Sequence, residues 1–125
     1  MTEDLTLKLF ILDEELKEDL KFGMEFIAEK LNYRLEVNLS EEEKLLNFPR
    51  DYDGYLIHFS QTSEEALISL KKEQPWCKIF VMSGAFFNKE TASSISNIYY
   101  KLYTIINCKE AEEILKEMHS IYEKK

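Results

Sequence analysis

Residues 5–16 read LTLKLFILDEEL, an apolar run that ends abruptly in three acids. Leu5, Leu7 and Leu9 first alternate with Thr6 and Lys8, and Phe10, Ile11 and Leu12 then follow without a break. A run this short and this apolar suits a strand covered on both faces, the condition of a strand inside a parallel sheet. From about residue 14 to residue 31, Leu16, Leu20, Met24, Ile27 and Leu31 recur at spacings of three and four, which lays one apolar stripe along a helix. The opening is therefore a strand followed by an amphipathic helix.

The rest of the chain repeats that unit. Residues 33–39 alternate, with Tyr33, Leu35, Val37 and Leu39 on one face and Arg34, Glu36 and Asn38 on the other, as in a strand near a sheet edge. Ser40 and Glu43 have capping-box spacing and predict a short helix ended by Pro49. Asp51 and Asp53 read as turn formers before a third strand at residues 55–59. Thr62 and Glu65 predict the cap of a helix that stops before Pro75, and residues 79–82 predict a fourth strand closed by Ser83 and Gly84. Asn88 heads a helix carrying Ala92, Ile95, Ile98, Tyr99 and Leu102, and residues 103–106 predict a fifth strand. A last helix from about Glu110 shows Ala111, Ile114, Leu115, Met118, Ile121 and Tyr122 on one side. Five strands alternating with five helices through short connections imply right-handed crossovers. The fold class is α/β, a three-layer α-β-α sandwich around a five-stranded parallel sheet, with residues 1–125 as a single domain.

Composition excludes more than it identifies. The apolar and charged fractions, 45% and 32%, are those of a folded globular chain. A formal net charge of −8 disfavours direct nucleic-acid binding, which needs a basic surface to displace counterions. No apolar run reaches the length of a membrane span and the N-terminal MTEDLTLK lacks the basic start of a secretory signal, so a cytoplasmic location is expected. Cys77 and Cys108 read as reduced, buried thiols. With three glycines, no serine elbow and no paired Cys and His at ligand spacing, neither a conventional enzyme nor a bound cofactor is expected.

In open parallel sheets, chemistry gathers beyond the carboxyl ends of the strands, where the strand order switches direction. There this chain offers Asp13 and Glu14 after the first strand, His58 at the end of YDGYLIHFS, Ser83 in VMSG, and Asn107 in YTIINC. In element order and in this acidic turn the whole chain resembles the response-regulator receiver family, whose fold is flavodoxin-like (βα)5. The resemblance places Asp13 and Glu14 on the family's Mg²⁺-holding acidic pair and His58 on its phosphoacceptor aspartate. It places Ser83 on the hydroxyl residue that contacts the phosphoryl group, Asn107 where a lysine is expected, and Cys108 where a proline usually follows.

Phosphoryl transfer to a carboxylate needs that carboxylate, a bridging divalent cation and a positive group for the developing charge. His58 and Asn107 supply neither the acceptor oxygen nor the charge. The expectation is a degenerate receiver pocket with no catalytic residue, no metal and no acyl phosphate, in which His58 hydrogen-bonds Asp13 or Glu14 and plugs the old metal site. Three alternatives stay open: phosphorylation of His58 itself, a metal or small-ligand site built from His58, Asp13 and Glu14, and a genuine receiver whose acceptor lies at another position.

With a silent pocket, function falls to a surface. Ile98, Tyr99, Tyr100, Leu102 and Tyr103 crowd the junction of the fourth helix with the fifth strand, and tyrosines suit interfaces through their large area and polar tips. In receivers the face of the fourth helix, fifth strand and fifth helix commonly carries dimerisation or partner docking. A protein partner or homodimer through Tyr99, Tyr100 and Tyr103 is expected, with Phe86 and Phe87 as a second exposed group. His119 reads as part of a solvated helix face.

Overall fold

A computed structural model describes residues 5–82, 101–103 and 107–123, of which 101–103 are described by backbone alone. Strand β1 (Thr6–Leu12) lies inside a parallel sheet, paired with β2 (Arg34–Leu39) on one side and β3 (Gly54–His58) on the other. Strands β4 (Lys78–Met82) and β5 (Lys101–Tyr103) extend it to the order β2-β1-β3-β4-β5. Helix α1 (Lys17–Lys30) and the C-terminal helix α3 (Cys108–Ser120) pack on one face, and α2 (Glu64–Glu73) on the other. This is the α/β sandwich that the element pattern predicts.

The two cores follow from the period of two along each strand. Leu7, Leu9 and Ile11 of β1, Leu56 of β3, and Phe80 and Met82 of β4 meet Met24, Ile27 and Ala28 of α1 and Ala111, Ile114, Leu115 and Met118 of α3. The intervening residues Phe10, Leu12, Tyr55, Ile57, Ile79 and Val81 meet Ala66, Leu67 and Leu70 of α2, together with Phe48 and Cys77. Each fully buried large side chain contributes roughly 1.5–3 kcal/mol through area removed from water. A methyl group on Gly54 would lie 2.6 Å from the Met118 sulfur, so the absence of a side chain there lets α3 close on β3.

Local chemistry ends the elements. Helix α1 closes in a Schellman motif, with Asn32 at φ 62, its N–H donating to Glu29 O at 3.1 Å and the Tyr33 N–H donating to Ala28 O at 2.9 Å. Helix α3 starts in a capping box of Asn107 and Glu110, with both bonds at 3.0 Å.

Several expectations need correction. The predicted helix after Ser40 does not form. Ser40 Oγ instead donates to Glu42 O at 2.9 Å and accepts from Glu42 N at 3.2 Å, a local turn that competes with helix initiation. The segment that follows is bound to the turn after β3, where Leu45 N donates to Gln61 O at 3.0 Å and Thr62 Oγ1 to Leu45 O at 2.7 Å. Thr62 is thereby occupied, and Ser63 caps α2 by accepting from Ala66 N at 3.1 Å. Leu102 lies within β5, not in the preceding helix, whose remaining residues fall outside the described ones along with 104–106. Cys77 is buried but Cys108 is exposed, and both are free. His119 is not merely solvated, because its ring stacks on Tyr33 at 4.5 Å between centroids.

Asp53 does more than form a turn. Buried at the start of β3, it accepts from Lys8 N at 2.8 Å through Oδ2 and from the Tyr122 hydroxyl through Oδ1, joining β1, β3 and the C-terminus. Burial, followed by the hydrogen bond to Asp53, pushes the Tyr122 hydroxyl up to about 12. Tyr55, which donates to Pro49 O at 2.6 Å and accepts from Gln74 Nε2 at 3.0 Å, is also pushed up to about 12, chiefly by burial. Both groups are held protonated by the fold, so their contribution is complete below the unfolded value near 10 and lost as pH rises toward about 12. Urea unfolding should show stability falling across that alkaline window, with a shallower fall in Tyr55→Phe; equal slopes for variant and parent would refute the assignment.

Candidate functional site

Between β1 and β3 the strand order changes direction, and the carboxyl ends of these two strands bring Asp13 and His58 to one place. Asp13 leaves β1 with only 3% of its surface exposed. Its Oδ1 accepts from the backbone N–H groups of Glu15 and Leu16, both at 3.1 Å, and so holds the turn that leads into α1, whose N-cap Leu16 makes no side-chain cap bond. Its Oδ2 is buried and has no hydrogen-bond partner among the described residues. A buried carboxylate oxygen without a donor is costly.

His58 does not hydrogen-bond Asp13 or Glu14, contrary to the expected plug. Its Nδ1 lies 2.8 Å from Ser60 Oγ and accepts from Ser60 N at 3.3 Å, capping a single 3₁₀ turn, Phe59–Gln61. The two-residue spacing from His58 to Ser60 wins because it requires no movement of the separate β1 loop.

Gln61 spans the site. Its Oε1 accepts from Glu14 N at 2.8 Å and its Nε2 donates to Glu43 O at 2.7 Å, binding the loop after β1 to the segment after β2. No sequence motif marks Gln61, whose partners lie 47 and 18 residues away. The resulting cavity, about 360 Å³, is lined by Asp13, Glu14, Glu15, Glu43, Lys44, His58, Ser60 and Gln61. Its carboxylates outnumber its single ammonium, although Lys17 reaches Glu14 Oε1 at 3.8 Å and Ser40 O at 3.4 Å from beside it. Among the described residues no three His, Cys, Asp or Glu side chains gather closely enough to hold a metal ion.

Asn107 is not brought into this cavity. Its side chain is committed to the α3 capping box, and it borders a different groove between α1 and α3. Ser83, Tyr99, Tyr100, Phe86 and Phe87 lie outside the described residues, and Tyr103 is placed only as the last position of β5. No helix among the described residues is long and apolar enough to cross a membrane.

No protein-family model and no curated protein matches the sequence. Solved structures do match the fold. A CheY-like response regulator receiver domain protein from Methanospirillum hungatei JF-1 superposes with a TM-score of 0.66 at 14% identity, over 95% of this chain and 98% of that one. The ChxR receiver domain from Chlamydia trachomatis gives 0.65 at 15% identity over 93% and 98%, and a response regulator from Thermotoga maritima gives 0.63 at 16% identity over 93% and 99%. The chain has the receiver fold, as its element order and acidic turn lead one to expect.

The orphan oxygen of Asp13 makes a direct prediction. Asp13→Asn keeps the Oδ1 acceptor that starts α1 and removes an unpaired buried charge beside other acids, so it should raise stability at pH 7 by about 1 kcal/mol. A urea midpoint equal to or below that of the parent would contradict this account.

Proposed function

We propose that this chain is a pseudo-receiver, a protein–protein interaction module in bacterial-type signal transduction or transcriptional regulation that acts without being phosphorylated. The observation that carries the reading is His58 at the end of β3, inside the strand-end cavity, with Nδ1 engaged by Ser60. A metal-assisted transfer to carboxylate has no acceptor oxygen there. Lys44 brings a positive charge to the cavity, but it cannot replace the acceptor. Phosphorylation of His58 is disfavoured, because Asp13, Glu14, Glu15 and Glu43 would repel an incoming dianion. The receiver fold supports a signalling role, and the missing acceptor supports one that does not depend on phosphoryl transfer.

Incubation with Mg²⁺ and a small phosphodonor should leave the intact mass unchanged. Gain of one phosphoryl group, on His58 or on any carboxylate, would overturn the reading.

The proposed self-association or docking face comprises Tyr103, the last position of β5, and Tyr99 and Tyr100, which precede that strand in the sequence. Replacing Tyr100 with Glu should lower the mass seen by light scattering if the chain self-associates there. An oligomer of unchanged mass would exclude Tyr100 from the contact.

A further inference from the structure

Helix α1 carries a second apolar face that the core does not use. Met24, Ile27 and Ala28 point into the sheet-facing core, whereas Phe22 and Phe26, one turn apart, remain 73% and 48% exposed. Two phenyl rings at this spacing form a continuous ridge. The Lys30 ammonium lies 5.1 Å from the centre of the Phe26 ring and leaves Phe22 uncovered.

Beside that ridge runs a groove of about 180 Å³ between α1 and α3, lined by Leu20, Gly23, Met24, Ile27, Cys108 and Ala111 together with the polar Asp19 and Asn107. Gly23 sits about 60° around the helix from Phe26, so groove and ridge adjoin. Among the described residues a methyl group on Gly23 would meet no atom within 4 Å, while glycine inside a helix costs roughly 0.5–1 kcal/mol relative to alanine. None of the described residues fills the space above it.

The border of this surface is acidic. Glu18, Asp19, Glu25 and Glu29 lie along α1 and Glu110 caps α3, against Lys21, which is 3.9 Å from Glu25, and Lys30 over Phe26. A second copy docked on this face would set these acids against their own kind, and an anionic lipid surface is repelled for the same reason. The complementary occupant is positively charged and carries an apolar stripe.

We propose that the α1–α3 groove and the Phe22–Phe26 ridge are the docking site for a basic amphipathic helix of a partner protein. This rests on the interaction-module reading and adds a contact surface separate from the strand-end cavity. A partner helix places one apolar side chain in the space above Gly23 and others across the two phenyl rings, with lysines or arginines facing the acidic border.

The test uses the full chain labelled with ¹⁵N and a synthetic helical peptide with leucines on one face and lysines and arginines on the other. Two further peptides serve as controls, one with serines in place of the leucines and one with glutamates in place of the basic residues. The basic amphipathic peptide should shift the amides of residues 19–27 and 107–111 saturably, and bind at least about tenfold more tightly than either control. Gly23→Leu fills the groove where space is open and removes a helix glycine, so it should keep or raise the thermal midpoint and weaken binding by at least about tenfold; Phe22→Ser should weaken it independently. Equal binding of the serine control would reduce the effect to diffuse charge and overturn the proposal. So would shifts centred elsewhere, full binding by Gly23→Leu, or sedimentation showing a dimer that Phe22→Ser dissolves. No phosphodonor is involved, so failure here is distinguishable from failure of the phosphorylation-independent reading.

Discussion

Strand β1 is paired on both edges and covered on both faces, and that double burial governs the rest of the molecule. From Leu7 to Leu12 only Lys8 escapes full burial, and the acids of this part of the chain come after the strand's carboxyl end. Asp13 is the first of them, and it emerges where β1 and β3 separate their crossovers. The same carboxylate that faces the cavity also starts α1 through Glu15 and Leu16. Sheet, cavity and helix thus share one residue.

The receiver fold and phosphoryl chemistry make demands on different atoms. The fold needs alternating apolar side chains on β1, β3 and β4, whereas phosphoryl chemistry needs particular groups beyond their ends. His58 satisfies the first demand, since the end of β3 remains paired to Met82 of β4, and turns its ring to a local serine. Asn107 likewise serves a structural end, supplying the cap of α3. Both side chains are engaged in local hydrogen bonds, and Asp13 Oδ2 has no donor among the described residues.

What could be read in the sequence was whatever burial alone imposes. The continuous run of β1, the alternation of β2 and the stripes of α1 and α3 are periodic because one side of each meets a core. Ser40 and Glu43 misled because their spacing is equally consistent with a local turn, and the choice is made by bonds from Gln61 and Thr62. Asp53 was legible as a turn residue but not as a clasp, since its partners lie 45 and 69 residues away. His58 was correctly placed at the strand end, yet its partner was misjudged: a serine two residues on is nearer than carboxylates across a loop. Phe22 and Phe26 were invisible to a reading that sought the inward stripe.

Helix α1 therefore connects the two surfaces that matter. Its first turn is set by Asp13 Oδ1 and anchored beside the cavity by Lys17, while its middle carries Gly23, Phe22 and Phe26. Its inner face is held by buried contacts with β1 and α3, so the helix transmits displacement at its start only as a rigid element. In a receiver that accepts phosphate, chemistry at the strand ends has a route to the surface through such elements. In this chain the groove beside Gly23 is formed by the packing of α1 against α3. A surface held by packing needs no chemical input to form, which is the physical property that the proposed docking module requires.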